Sequence, residues 1–148
     1  MHVYNLINIL NWQMVSFKPS SPWNYRITTN FTYGEFTQQS EDRRFTAQHQ
    51  CETAEKLADF LEDLRTHFGR PVTITSGHRP PAVNAAVGGA ANSEHLYNLV
   101  GKGAVDVKVP GVDPQKVEEW IDDNWGESVG YGQARNLGFT HIGCRGDG

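Results

Sequence analysis

Only two cysteines occur in the 148 residues, Cys51 and Cys144. They lie far apart and neither belongs to a C-x-x-C pair, so thiolate metal ligation has no support and nothing in their spacing argues for a disulfide. Cys51 reads as a small buried residue on a helix. Basic charge is also scarce. The 13 Lys and Arg are outnumbered by 17 Asp and Glu, giving a formal net charge of −4. That balance argues against a nucleic-acid binder, which clusters positive charge on one face. No apolar run approaches the roughly 18 residues of a membrane span. Residues 1–17 are apolar in places, but Asn5, Asn8, Asn11 and Gln13 interrupt them and no basic segment leads in, so this start does not read as a signal peptide. Internal repeats and low-complexity tracts are absent as well.

What is present suits one globular domain. Hydrophobic residues make up 38% and charged residues 20%, an ordinary balance for a chain able to bury a single core. Residues 1–30, with Pro19-Ser20-Ser21-Pro22, read as an arm or linker, and residues 31–148 as the domain. Trp12, Phe17, Trp23 and Tyr25 in the arm could pack on the domain or against a second copy. Phe31 to Phe36 is expected to form a short segment before a loop.

Periodicity sets out the rest. From Thr46 to Phe68, Ala47, Cys51, Ala54, Ala58, Leu61 and Phe68 recur at helical steps, and Leu57 and Leu64 widen the stripe. Gly69 and Pro71 end that helix. Val72 to Thr75 reads as a strand, and Pro81 to Val87 as a short helix closed by Gly88-Gly89. Ala104 to Val109 alternates, with its valines facing the core and Ala104, Asp106 and Lys108 facing away. Asp113-Pro114 caps a helix through Val117, Trp120 and Ile121. Ser128 to Tyr131 and Leu137 to Cys144 read as strands joined by a turn at Gln133-Ala134-Arg135-Asn136. The predicted class is α+β: a small mixed or antiparallel sheet with helices packed on one side.

Three residues stand out chemically. Asp106 interrupts a valine-rich strand, and a carboxylate beside a core needs a cation or donors. His141 stands on a strand between Phe139 and Gly143. His95 follows Gly88-Gly89-Ala90-Ala91-Asn92-Ser93, small residues that permit close backbone approach, and Ser93 is placed to hold the loop. Two imidazoles and one carboxylate on separate elements form a candidate three-ligand zinc site, which leaves a fourth tetrahedral position open for water. By contrast, His2, His49, His67 and His78 lack such context and read as solvent or packing residues.

These residues sit within a recognisable order. Ser76-Gly77-His78-Arg79-Pro80 with Asn84, Val87-Gly88-Gly89-Ala90, Ser93-x-His95, Gly103 to Val107, and Phe139-Thr140-His141 resemble the VanY-like zinc D-Ala-D-Ala carboxypeptidases and L-alanyl-D-glutamate endopeptidases. That family shares its fold with the hedgehog signalling domain. The resemblance covers roughly residues 31 to 146. It implies a hedgehog/D-Ala-D-Ala peptidase-like fold, Zn2+ held by His95, Asp106 and His141, and Arg79 as the catalytic residue that binds or polarises the substrate's carboxylate or carbonyl. A planar, permanently charged guanidinium suits that task. The implied substrate is a peptidoglycan stem peptide or other D-amino-acid peptide, met at the cell wall by a secreted, periplasmic or phage-released protein.

The chain departs from the family in two places. His95 and Asp106 are eleven residues apart, against the family's usual seven, so Asn98-Leu99-Val100-Gly101 reads as an inserted loop that bulges without moving the ligands. The family's general base, three residues before the last histidine or two after it, falls here on Gly138 or Gly143. Glycine at 143 is expected to leave a gap beside His141. Asp147, Glu127 and Glu94 are the acids that could stand in, each by default a solvated surface group. Two functions therefore follow: a zinc peptidase of stem peptides, or a catalytically weak or inactive zinc-bearing module that binds cell wall or peptide on the same fold.

Overall fold

The computed structural model describes residues 16–146. The elements run β1 (Arg26–Thr28), β2 (Phe31–Thr32), α1 (Tyr33–Thr37), α2 (Gln48–Phe68), β3 (Thr73–Ser76), α3 (Pro81–Ala86), β4 (Lys102–Lys108), α4 (Pro114–Asn124), β5 (Ser128–Val129), α5 (Ala134–Leu137) and β6 (Thr140–Arg145), with 3-10 turns at Glu41–Arg43 and Glu94–Leu96. Strands β1 and β2 pair as a ribbon, and β3-β4-β6-β5 form the main sheet. Every pairing is antiparallel. The α+β class is as the sequence predicts.

Helix α2 supplies one wall of the core. Cys51, Ala54, Leu57, Ala58, Leu61 and Leu64 are fully buried along it, and burying each leucine stabilises the fold by roughly 2 kcal/mol. The helix starts two residues later than its apolar stripe suggests. The Gln50 side-chain oxygen accepts from the backbone N–H groups of Thr46 and Ala47, at 2.7 and 3.1 Å, so these residues form the cap rather than the first turn. Gly69 closes the helix in the left-handed conformation. The Gln50 amide also donates to the Tyr97 carbonyl at 3.0 Å, tying the helix start to the loop before β4.

Phe31 to Phe36 is more ordered than a segment before a loop. Thr32 and Glu35 form a reciprocal capping box that opens α1. From the preceding residues, Phe17 stacks on Tyr25 and meets Tyr33 edge-on, while Arg44 lies 3.9 Å over the Trp23 ring. Phe17, Trp23 and Tyr25 thus pack on the domain. Trp12 and His2 lie outside the described residues.

One further expectation is corrected. Residues 133–136 are not a simple turn between strands, because Ala134–Leu137 is a helical turn and β5 stops at Val129. Glu118 on α4 explains this: its buried carboxylate accepts from the N–H groups of Gly132, Gln133 and Ala134 at 2.8 to 3.2 Å. Strand β4 alternates as expected, yet its second face is buried too, with Ala104 fully covered and Asp106 nearly so. The 3-10 turn at Glu94–Leu96 packs against β4 and β6 and removes that face from water. Asn98 to Gly101 forms an exposed turn, with Val100 71% exposed.

Candidate metal centre

Register delivers two of the three candidate ligands. Asp106 on β4 and His141 on β6 are direct cross-strand partners, so their side chains leave the same face of the sheet a short distance apart. The third arrives on the 3-10 turn. Ser93 caps that turn by accepting from the His95 N–H at 3.1 Å, and the His95 carbonyl accepts from the Arg79 N–H at 2.7 Å. Asn84, buried on α3, pins the glycine-rich stretch between them by donating to the Ala90 carbonyl at 2.9 Å.

Three donor atoms converge. His95 Nε2 lies 3.2 Å and His141 Nδ1 3.0 Å from the same carboxylate oxygen, Asp106 Oδ1. The ligand atoms of all three residues lie within 4.8 Å of one another. Corners of a tetrahedron centred about 2.0 Å from each ligand stand roughly 3.3 Å apart, so the spacing suits zinc. Two nitrogens and one oxygen are also a zinc donor set. His95 and Asp106 are buried, whereas the His141 side chain remains 25% exposed, which opens the site to solvent. The longer interval between His95 and Asp106 leaves the ligands together, as the bulging loop requires.

The charges fit the same reading. Burial opposes ionisation of Asp106, but hydrogen bonds to His141 and His95 outweigh it and bring its pKa down to about 2. For His141 burial opposes the charged form, yet the Asp106 and Glu94 carboxylates raise its pKa to about 9. This electronegative notch therefore favours positive charge and keeps a proton on His141.

The backbone around His95 is packed without slack. His95 Nδ1 lies 2.8 Å from the Gly77 carbonyl, which can only accept, so Nε2 is left to face the site. Gly77 must be glycine, since a Cβ there would stand 2.2 Å from the Phe36 carbonyl oxygen. His78 is a packing residue, as expected, with burial lowering its pKa to about 4. Arg79 holds the turn through its backbone, and its Nε is buried with no hydrogen-bond partner.

Of the alternative acids among the described residues, only Glu94 reaches the triad. Glu127 pairs with Lys56 on α2, and Asp147 lies outside the described residues. Glu94 Oε1 stands 2.7 Å from His141 Nε2. Burial disfavours its ionisation, but hydrogen bonds from His141 and Ser128 prevail and hold its carboxyl below the usual range. The gap expected over Gly143 is also filled. A Cβ at that position would lie 2.0 Å from Glu94 Oε1. On sequence alone Glu94 reads as a surface acid, because residue type does not show which strand its loop crosses. Both cysteines are free and buried.

Comparison with known proteins agrees with the geometry. The model of a family described as Peptidase M15 matches residues 29–143, more than three quarters of the chain. Among curated proteins, no significant match is found.

Proposed function

Since the chain belongs to the peptidase M15 family, a family of zinc enzymes, we propose that it is a zinc-dependent peptidase that hydrolyses peptidoglycan stem peptides. The observation that carries this reading is the convergence of His95 Nε2, Asp106 Oδ1 and His141 Nδ1 on one point. These three residues would hold the ion. Bound there, zinc supplies a Lewis acid for the scissile carbonyl and lowers the pKa of a water to about 7.

The chain's own residues do the rest. Asp106 supplies the negative charge that offsets the cation. Arg79, fastened to His95 through its backbone and carrying a buried, unpartnered Nε, is the group that would pair with a substrate carboxylate or carbonyl. A D-Ala-D-Ala carboxypeptidase would use it on the terminal carboxylate, and an L-alanyl-D-glutamate endopeptidase on an internal carbonyl or side chain. The site of action would be the cell wall. Among the described residues no helix is long and apolar enough to cross a membrane. The residues before the domain, including Trp12, would be where any self-association occurs.

One observation favours a second reading. Neither Gly138 nor Gly143 can accept a proton, so the same centre could serve a catalytically weak or inactive zinc module that binds cell wall or peptide. Mass spectrometry of purified peptidoglycan digested by zinc-loaded protein separates the two. Release of D-alanine identifies a carboxypeptidase, and cleavage between L-alanine and D-glutamate an endopeptidase. Either product should disappear in His95→Ala, Asp106→Ala and His141→Ala. Zinc at one per chain with no new product rejects the peptidase and leaves the binding module.

A further inference from the structure

Each imidazole of the triad has a second nitrogen, and what holds that nitrogen decides which one faces the metal. For His95 the holder is a backbone carbonyl, Gly77. For His141 it is a side chain from another element, with Glu94 Oε1 2.7 Å from Nε2 while Nδ1 faces Asp106. An ionised carboxylate only accepts, so Nε2 must carry the proton and donate it. The lone pair of neutral His141 is then on Nδ1, directed at Asp106 and the ligand point. Without an acceptor on the Nε2 side, the ring could adopt the other tautomer and present an N–H to the cation.

Glu94 is held for this task. It opens the 3-10 turn that carries His95, and its side chain is only 17% exposed, unlike a freely solvated acid. Its carboxylate sits over Gly143, where an added Cβ would lie 2.0 Å from Oε1 and 2.6 Å from Cδ. Gly143 is two residues from His141 on the same strand face. Any side chain there would compete with Glu94 for the space beside the imidazole. Glycine at 143 is thus the clearance that lets the neighbouring turn supply a carboxylate to the strand.

We propose that Glu94 is the positioning residue of the metal centre: it accepts the Nε2–H of His141, fixes the tautomer, and keeps Nδ1 available as the ligand, with Gly143 as the space it needs. The proposal rests on the zinc-peptidase reading above only for the identity of the cation.

The test uses zinc affinity and proton location, not hydrolysis. Chelator competition gives the zinc dissociation constant of wild type, Glu94→Gln, Glu94→Ala, Gly143→Ala and the Glu94→Ala/Gly143→Ala double variant. Long-range proton–nitrogen NMR of zinc-loaded protein shows which His141 nitrogen carries hydrogen. Loss of such an outer carboxylate typically weakens metal binding about 10- to 100-fold, and that is the effect expected of Glu94→Ala. Glu94→Gln, whose amide oxygen still accepts, should retain most of the affinity. Gly143→Ala should match Glu94→Ala because its methyl displaces the carboxylate, and the double variant should be no weaker than Glu94→Ala alone. In wild type the His141 proton should be on Nε2, with its signal lost to solvent exchange in Glu94→Ala. Equal zinc affinity in wild type and Glu94→Ala, or a His141 proton on Nδ1 in the zinc-loaded protein, overturns the proposal. Should Glu94→Ala not fold, Gly143→Ala against wild type decides by the same two measurements. A wild type that meets these expectations yet cleaves nothing refutes the peptidase alone, whereas one that takes up no zinc refutes both.

Discussion

Loading the centre with zinc should expel a proton from His141, and the structure sets the amount. In the metal-free protein that imidazole lies between two carboxylates, Asp106 at 3.0 Å and Glu94 at 2.7 Å, and its pKa is raised to about 9. At pH 7, two units below, about 99% of the molecules carry the proton. Asp106, at about 2, has none to give. Close to one proton per zinc should therefore leave Nδ1 at pH 7, falling to about three quarters of a proton by pH 8.5. Apparent affinity should rise about tenfold per pH unit, or ~1.4 kcal/mol, and level off above pH 9. Titration calorimetry in buffers of different ionisation heat measures the proton directly. The metal-free fold should respond with the opposite sign. A folded pKa above the ordinary value of 6.5 means that the contribution of His141 is fully present below pH 6.5 and fades as pH approaches 9. Its ceiling is about 3 kcal/mol. The same hydrogen bond depresses Asp106, so the two effects are not added. The unfolding temperature of metal-free protein should thus fall from pH 6.5 to 9, while that of zinc-loaded protein rises. Uptake of zinc with no proton release at pH 7, or an affinity flat from pH 7 to 8.5, would refute the placement of His141 between the two acids.

Three further outcomes are expected. Arg79→Lys should keep its zinc, because the Arg79 contact to His95 is through the backbone, but should raise KM or lower kcat on muropeptides, since lysine loses the bidentate fork; unchanged kinetics would remove Arg79 from substrate binding. Gly77→Ala should cost roughly 1–3 kcal/mol in denaturant unfolding, as overpacking does, and also weaken zinc binding, because the Phe36 carbonyl 2.2 Å from the new Cβ forces away the carbonyl that holds His95. Glu118→Ala should destabilise by about 2–3 kcal/mol through the three N–H groups it releases at the start of α5; a change under 0.5 kcal/mol in urea unfolding would show that the α5 turn is held by other contacts.

Local order was legible in the residues themselves. The stripe from Cys51 to Leu64, with Gly69 behind it, specifies α2 because one apolar face must find a core and a left-handed glycine must end the turn. Alternation from Ala104 to Lys108 places Asp106 on the opposite face from the valines, and period two is a property of any extended chain. The order of short motifs singles out His95, Asp106, His141 and Arg79. Tertiary structure decided the rest. Alternation says which way a side chain points but not what covers it, so the burial of the second face of β4 depended on where the 3-10 turn at Glu94–Leu96 came to lie. Residues 134–137 became helical because Glu118, on a different helix, took up the free N–H groups of Gly132, Gln133 and Ala134 at the start of that turn. Pairing register placed Asp106 opposite His141, a match between strands that neither strand encodes alone. Glu94 is separated from His141 by 47 positions, and only folding shows that the missing side chain at 143 is the room its carboxylate occupies.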